Sequence, residues 1–248
     1  MIDAVVTAGG RLPPALAARF GTDVKALVAI GGVTLIERTL TALRGVKNVA
    51  RIAVVGPEAL RHVARADDFI VERATGEDNL LAALHAACGE RTIFCASDLP
   101  FVSSEALTGL LECAPADACA VYPIFARAEF DAAYPKARSS YATLADGVWT
   151  GASAFVVRAP ALLHREGVLT RAFAARKSLP ALAALFGPAL MFSYVRGALR
   201  VADIEARARS LFGAPVVALR GTDPALAFDC DEAADFDYAE ALHARTSA

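Results

Sequence analysis

Two hydrophobic rhythms alternate along this chain. Short β-branched and aliphatic runs at residues 2–6, 52–55, 69–71, 92–96, 118–123, 141–144, 154–157 and 215–219 predict strands. Between them apolar residues return at intervals of three and four, which predicts helices over 34–44, 58–66, 80–88, 103–112, 161–165, 169–177, 179–195 and 204–212, with a terminal helix to about 244. Thr34-Leu35-Ile36-Glu37 opens the first of these as a capping box and sets Leu35, Ile36, Leu40 and Leu43 on one face. Asp78 or Asn79 is a ready N-cap for the helix over 80–88. Strands and helices alternating at this spacing imply βαβ units, hence a doubly wound, mostly parallel sheet covered on both faces. The rhythm changes after residue 125. Residues 127–147 are polar and rich in Tyr, Ser, Lys and Arg, and 159–213 read as helical throughout.

Composition narrows the picture without changing it. A chain of 248 residues suits one α/β domain with a substantial core. With 25 basic and 27 acidic residues the net charge is −2, which gives no footprint for nucleic acid. The cysteines at 88, 95, 113, 119 and 230 are scattered and form no C-x-x-C, so they read as small buried hydrophobes of a reducing cytosol, and the expected location is cytoplasmic. The sequence starts directly on a strand and shows no export signal. Residues 178–195 carry no charge, but Pro180 and Gly187-Pro188 interrupt them. They read as two short buried helices or an oligomer interface, which leaves a homodimer open, and not as a membrane span.

The chemistry gathers first at the end of the opening strand. Ala8, Gly9, Gly10 and Arg11 form an abrupt turn, with Arg19 and Lys25 following. Adjacent glycines can take φ > 0 and bring backbone N–H groups close to an anion, and arginine adds a fork of donors suited to phosphate. That predicts a polyphosphate pocket; a plain tight turn with Arg11 in solvent explains the glycines equally. Neither G-x-x-x-x-G-K-[ST] nor G-x-G-x-x-G is present. Asp98 follows the strand over 92–96, at the carboxyl end where ligands of open parallel sheets collect. A carboxylate beside a triphosphate needs a cation between them, so Asp98 implies Mg²⁺ or Mn²⁺ unless it merely caps the next helix. Lys136 and Arg138 suit a phosphate on a second substrate or a solvated loop; Arg176-Lys177 suits an acceptor anion or a helix C-terminus. The histidines show no metal or triad spacing.

Taken together, Ala8-Gly9-Gly10, Arg19-Phe20-Gly21, Lys25, Ile30-Gly31-Gly32 before the helix at Thr34, Ser97-Asp98-Leu99-Pro100 and Asp229-Cys230-Asp231-Glu232-Ala233-Ala234-Asp235 resemble, in order, the motifs of the MobA-like nucleotidyltransferases. The resemblance spans nearly the whole chain. It implies a Rossmann-like, GT-A-like sheet of the nucleotide-diphospho-sugar transferase type with a helical acceptor-side insertion, 1–125 being the nucleotide-binding half and 126–248 the acceptor side of one domain. It implies transfer of a nucleoside monophosphate from an NTP to a small acceptor, with Mg²⁺. The glycine turn then wraps the triphosphate, Lys25 neutralises it, Gly76 and Asn79 lie beside base or ribose, and Gly151 approaches the acceptor. Asp98 and Asp231 become metal ligands with Asp229 in reserve. The chain departs from the family by the extra residues 12–18, with Pro13-Pro14, which leave Arg11 the more direct phosphate ligand than Arg19. Two rivals remain: a non-catalytic nucleotide-binding protein, and a nucleotide-sugar-dependent glycosyltransferase, for which a D-x-D is expected where Ser97-Asp98-Leu99 stands.

Overall fold

The first strand, β1 (Ile2–Thr7), is buried on both faces, and its side chains divide by parity. Ala4 and Val6 enter one hydrophobic cluster and Val5 another, so helices must cover both sides of the sheet. The computed structural model describes residues 2–175 and 179–246. After β1 come α1 (Pro14–Phe20), the small antiparallel pair β2 (Ala29–Ile30) and β3 (Val33–Thr34), α2 (Leu35–Gly45), β4 (Val49–Gly56), β5 (Asp68–Val71), α3 (Gly76–Ala86) and β6 (Arg91–Ala96). The chain continues through α4 (Ser104–Cys113), β7 (Ala120–Ala126), α5 (Arg127–Ala133), β8 (Ala142–Leu144), β9 (Gly147–Gly151) and β10 (Ala154–Val157). It closes with α6 (Ala159–Leu163), α7 (Glu166–Ala175), α8 (Leu179–Phe186), α9 (Pro188–Val195), α10 (Val201–Phe212), β11 (Val216–Leu219) and α11 (Ala233–Thr246).

Among the described residues the main sheet runs β5-β4-β1-β6-β10-β7-β9-β8, with β11 also paired to β7. The core β5-β4-β1-β6 is parallel; β10 joins it antiparallel and reverses the sense of the sheet, and β7, β9 and β8 continue antiparallel. This is the doubly wound, mostly parallel core that the alternating pattern implies, with an antiparallel extension. One face packs on α2, α4 and α11 through Leu35, Ile36, Leu107, Leu110 and Phe236; the other packs on α3 and α6 through Ala83, Leu84 and Leu162. No helix among the described residues is long and apolar enough to cross a membrane.

Several elements differ from the expectations. The helix over 58–66 is only a 3₁₀ turn at Glu58–Leu60. It buries little beyond Leu60 and Ala64, too few contacts to offset the cost of nucleating an α-helix. The helix expected at 80–88 begins four residues earlier, because Thr75 accepts the Asp78 N–H and caps it in place of Asp78 or Asn79. Residues 127–147 hold α5 and part of the β8–β9 hairpin. Residues 179–195 do form two helices, but α9 has no buried residue, and Phe192 and Val195 are 62% and 79% exposed.

The extra residues 12–18 fold as a helix. Pro14 occupies the first turn of α1, Gly21 ends it in the left-handed region at φ 69°, Leu16 is buried, and Phe20 packs against Phe236 with ring centroids 5.0 Å apart. The excursion is closed at its base: Arg11 and Val24 form an isolated bridge, and Leu12 N–H donates to Asp23 O at 2.8 Å. The chain therefore leaves after Gly10 and returns one step from it, where Lys25 N–H donates to Gly10 O at 3.1 Å.

Candidate active site

Three parts of the fold meet at one crevice: the loop after β1, the loop after β6 and the segment before α11. Backbone bonds hold these together, since Ser97 N–H donates to Thr7 O at 3.1 Å and Cys230 N–H to Asp98 O at 3.1 Å. At the meeting point the Lys25 ammonium donates to Asp98 Oδ2 at 2.9 Å and to Asp231 Oδ1 at 2.5 Å. Asp98 and Asp231, more than a hundred residues apart in the chain, thus share one cation beside the glycine turn. Burial opposes charge on Lys25, but the two carboxylates outweigh it and hold the ammonium above the ordinary lysine range.

A cleft of about 410 Å³ opens from this point, lined by Thr7, Gly9, Gly10, Gly76, Ser97 and Asp98, with Phe155 and Phe173 also in its wall. Its size suits a nucleotide. Neither Gly9 nor Gly10 takes the positive φ expected of them; what they supply is room. A Cβ on Gly9 would come within 2.9 Å of Glu72 Oε2, and one on Gly10 would sit 3.4 Å from Lys25 Cε. Arg11 forms an ion pair with Glu72, with Asp23 at 3.6 Å and Gly9 O accepting at 3.2 Å. The guanidinium stands at the turn with its charge balanced by Glu72.

Asp229 lies behind the other two carboxylates. Its Oδ2 accepts from Ser153 Oγ at 2.9 Å, and its carboxyl is pushed up to about 6, first by burial and then by the charges of Asp98 and Asp231. Asp98 Oδ1 is buried and has no hydrogen-bond partner. Carboxylates outnumber the Lys25 ammonium here, so the cluster has capacity for a further cation. Among the described residues no group of three or more His, Cys, Asp or Glu could hold a metal unaided.

The remaining candidates fall into three groups. Gly76 lines the cleft as the first residue of α3; Asn79 lines it too, but its side chain is spent on the backbone of Arg73, accepting from N–H at 2.6 Å and donating to O at 3.1 Å. Arg138 shares a recess of about 170 Å³ with Asp229 and Asp231, where it pairs with Glu232, and Lys136 stands two residues earlier in the left-handed region at φ 70°. Arg19 is turned away to Asp237 on α11 at 2.5 Å, and Gly151 faces Tyr122 and does not line the 410 Å³ cleft. Lys177 lies outside the described residues.

Three functional side chains escape sequence reasoning. Asp235 is buried and accepts from the backbone N–H of Asp231 at 3.0 Å and of Glu232 at 2.7 Å, which fixes the Asp231 segment; its signal is its place as the last acid of the 229–235 motif. Ser153 orients Asp229, and Glu72 holds Arg11; nothing local in the sequence announces either contact.

The fold and the converging acidic and glycine loops define a nucleotide-binding transferase. A sequence profile described as the MobA-like NTP transferase domain matches residues 4–227, and the chain belongs to that family. It is accordingly an enzyme of the nucleotidyltransferase class. No curated protein matches it in sequence. Among solved structures it is similar to a hypothetical transferase of Thermus thermophilus, at 30% identity and TM-score 0.84 over 94% of this chain and 98% of that one. Its fold also resembles the 2-C-methyl-D-erythritol 4-phosphate cytidylyltransferase of the same organism (20% identity, TM-score 0.58, 98% of each chain) and a CMP:2-keto-3-deoxy-manno-octonic acid synthetase complexed with CTP (15%, 0.58, 99% of each).

Proposed function

We propose that this protein is a Mg²⁺-dependent nucleotidyltransferase, with Mn²⁺ as a substitute, that moves a nucleoside monophosphate from an NTP to a small acceptor bearing a phosphate or hydroxyl. The observation that carries the proposal is the Lys25 ammonium, held by both Asp98 and Asp231 against the Gly9-Gly10 turn. An acceptor oxygen attacks the α-phosphorus, the bond to the bridging oxygen breaks, and pyrophosphate leaves with the charge. A phosphate monoester is already ionised, so with such an acceptor no proton has to be removed. Alignment and charge neutralisation then supply most of the catalysis.

In this reading residues 1–125 bind the nucleotide and 126–248 shape the acceptor side. The backbone N–H groups of Gly9 and Gly10 receive the phosphates, Lys25 stabilises the charge that builds on them, and Arg11 exchanges Glu72 for a phosphate oxygen. Asp98 and Asp231 would hold the divalent ion, with Asp229 behind them. That ion supplies positive charge where phosphate and carboxylate would otherwise repel. Arg138, on leaving Glu232, would meet a phosphate on the acceptor, with Lys136 two residues away in the chain. The expected workplace is the cytoplasm, where NTPs are supplied.

Thermal shift and pyrophosphate release with each NTP, with and without Mg²⁺, test this. One NTP at about a hundredfold over its Kd should add ~2.7 kcal/mol, roughly 5–10 °C for a chain of this size, only with metal present. No metal-dependent shift with any NTP would refute it.

A further inference from the structure

A second cavity, of about 420 Å³, lies on the acceptor side between β7, β9, β11 and α10, with Tyr122, Leu144, Trp149, Gly151, Val201 and Ile204 in its wall. A neighbouring space of about 210 Å³ continues it past Ala142 and Leu144 to Leu190 and Met191. Together they form an open, largely apolar recess of a size that small-molecule sites use.

The polar groups around it are occupied internally. Glu205 accepts from Ala218 N–H at 2.7 Å, and the Thr150 hydroxyl is 2.7 Å from that of Ser139. The indole Nε1–H of Trp149 is buried without a partner, and the Tyr122 hydroxyl is the polar group left in the wall. An occupant of this space is therefore mainly apolar, with a polar atom where it meets Tyr122.

The cavity also meets the reaction centre. Tyr122 is the shared wall: its hydroxyl lies against Gly151, and its ring tilts against Phe155 of the nucleotide cleft with centroids 6.0 Å apart. Two residues beyond Gly151, Ser153 holds Asp229.

We propose that the acceptor carries an apolar body, aliphatic or alicyclic, which seats in this cavity with its phosphate or hydroxyl directed past Tyr122 toward Asp229. This rests on the nucleotidyltransferase reading above and specifies its second substrate. Phe192 and Val195, 62% and 79% exposed, lie on another face of α9 from Leu190, Met191 and Tyr194, which line the smaller space.

The molecule contains its own probe, because Trp149 is its single tryptophan. Butyl, octyl and glycerol phosphate, each below micellar concentration, are titrated into the protein while tryptophan emission is followed. Each buried methylene is worth about fourfold in affinity, so octyl phosphate should bind about tenfold or more tighter than butyl phosphate, with a blue shift, and glycerol phosphate should leave the emission unchanged. Ala142→Phe, at an exposed position of β8 that borders both spaces, should abolish the chain-length preference and keep the NTP-induced thermal shift; Val217→Phe fills the larger space if the first variant does not fold. Equal binding of butyl and octyl phosphate, or an unchanged preference in both variants, would overturn the proposal. So would a dimer that Phe192→Ser splits while alkyl phosphates leave Trp149 unmoved, since the face would then be covered by a second copy. Octyl phosphate binding without any NTP shift would retain the apolar site but remove the transferase reading, whereas an NTP shift without chain-length preference would do the reverse.

Discussion

At the scale of single residues the site is organised by a charge balance around Lys25. Its ammonium separates carboxylates that would otherwise repel, while Asp229 is pushed up to about 6, first by burial and then by the charges of Asp98 and Asp231. Lys25→Ala should lower kcat by about 10²-fold, the loss expected for one preorganised charge stabiliser, and a near-wild-type rate would assign it a structural role only. The same substitution leaves the carboxylates without a cation, so the melting temperature of the variant should rise more steeply with Mg²⁺ than that of the wild type. Arg11 is balanced by Glu72, and Glu72→Gln should release it. Tighter NTP binding in a titration, with a salt dependence steeper than wild type, is the expected result; unchanged binding would mean that Arg11 never leaves its partner for a phosphate.

At the scale of elements, the instructive case is α1. From sequence, residues 12–18 are an insertion that counts against Arg19 as a phosphate ligand, and nothing local reveals that residues 11 and 24 pair across its base. With that bridge in place the insertion is a side excursion, and Lys25 stays beside Gly10 whatever lies between. Leu16→Ala should therefore cost about 2 kcal/mol in denaturant unfolding while leaving the nucleotide-induced thermal shift intact. The first turn of α11 works differently. Asp235 fixes the backbone that presents Asp231, so Asp235→Ala should raise the Mg²⁺ concentration needed for half-maximal activity by about tenfold or more, with Asp235→Asn partly restoring it. Equal Mg²⁺ requirements in both variants and the wild type would show that the Asp231 segment holds itself.

At the scale of the whole molecule, the parallel core is legible because its signals are local. The alternating runs, the capping box at Thr34 and the motifs at strand ends each follow from short stretches of chain. The Thr34 cap is made as the sequence implies, with Glu37 N–H donating to its hydroxyl at 3.3 Å. The antiparallel half is harder to read. The runs at 141–144 and 154–157 mark β8 and β10, but the place of β10 between β6 and β7 depends on pairing over long sequence separations, and β9, with glycine at both ends, leaves no alternating trace. The candidate site divides in the same way. Gly9, Gly10, Lys25, Asp98 and Asp231 can be named from their motifs, while Glu72, Ser153 and the Tyr122 wall arise only once the sheet is assembled.

The most direct measurement is Mn²⁺ binding, followed by electron paramagnetic resonance, in the presence of a non-hydrolysable analogue of the NTP that gives the thermal shift. Wild-type protein with nucleotide should bind the ion tightly, and Asp98→Asn and Asp231→Asn should each weaken it by about tenfold or more. Binding of equal strength in the wild type and both variants would contradict the account, because the ion would then be held somewhere other than beside Lys25 and the glycine turn.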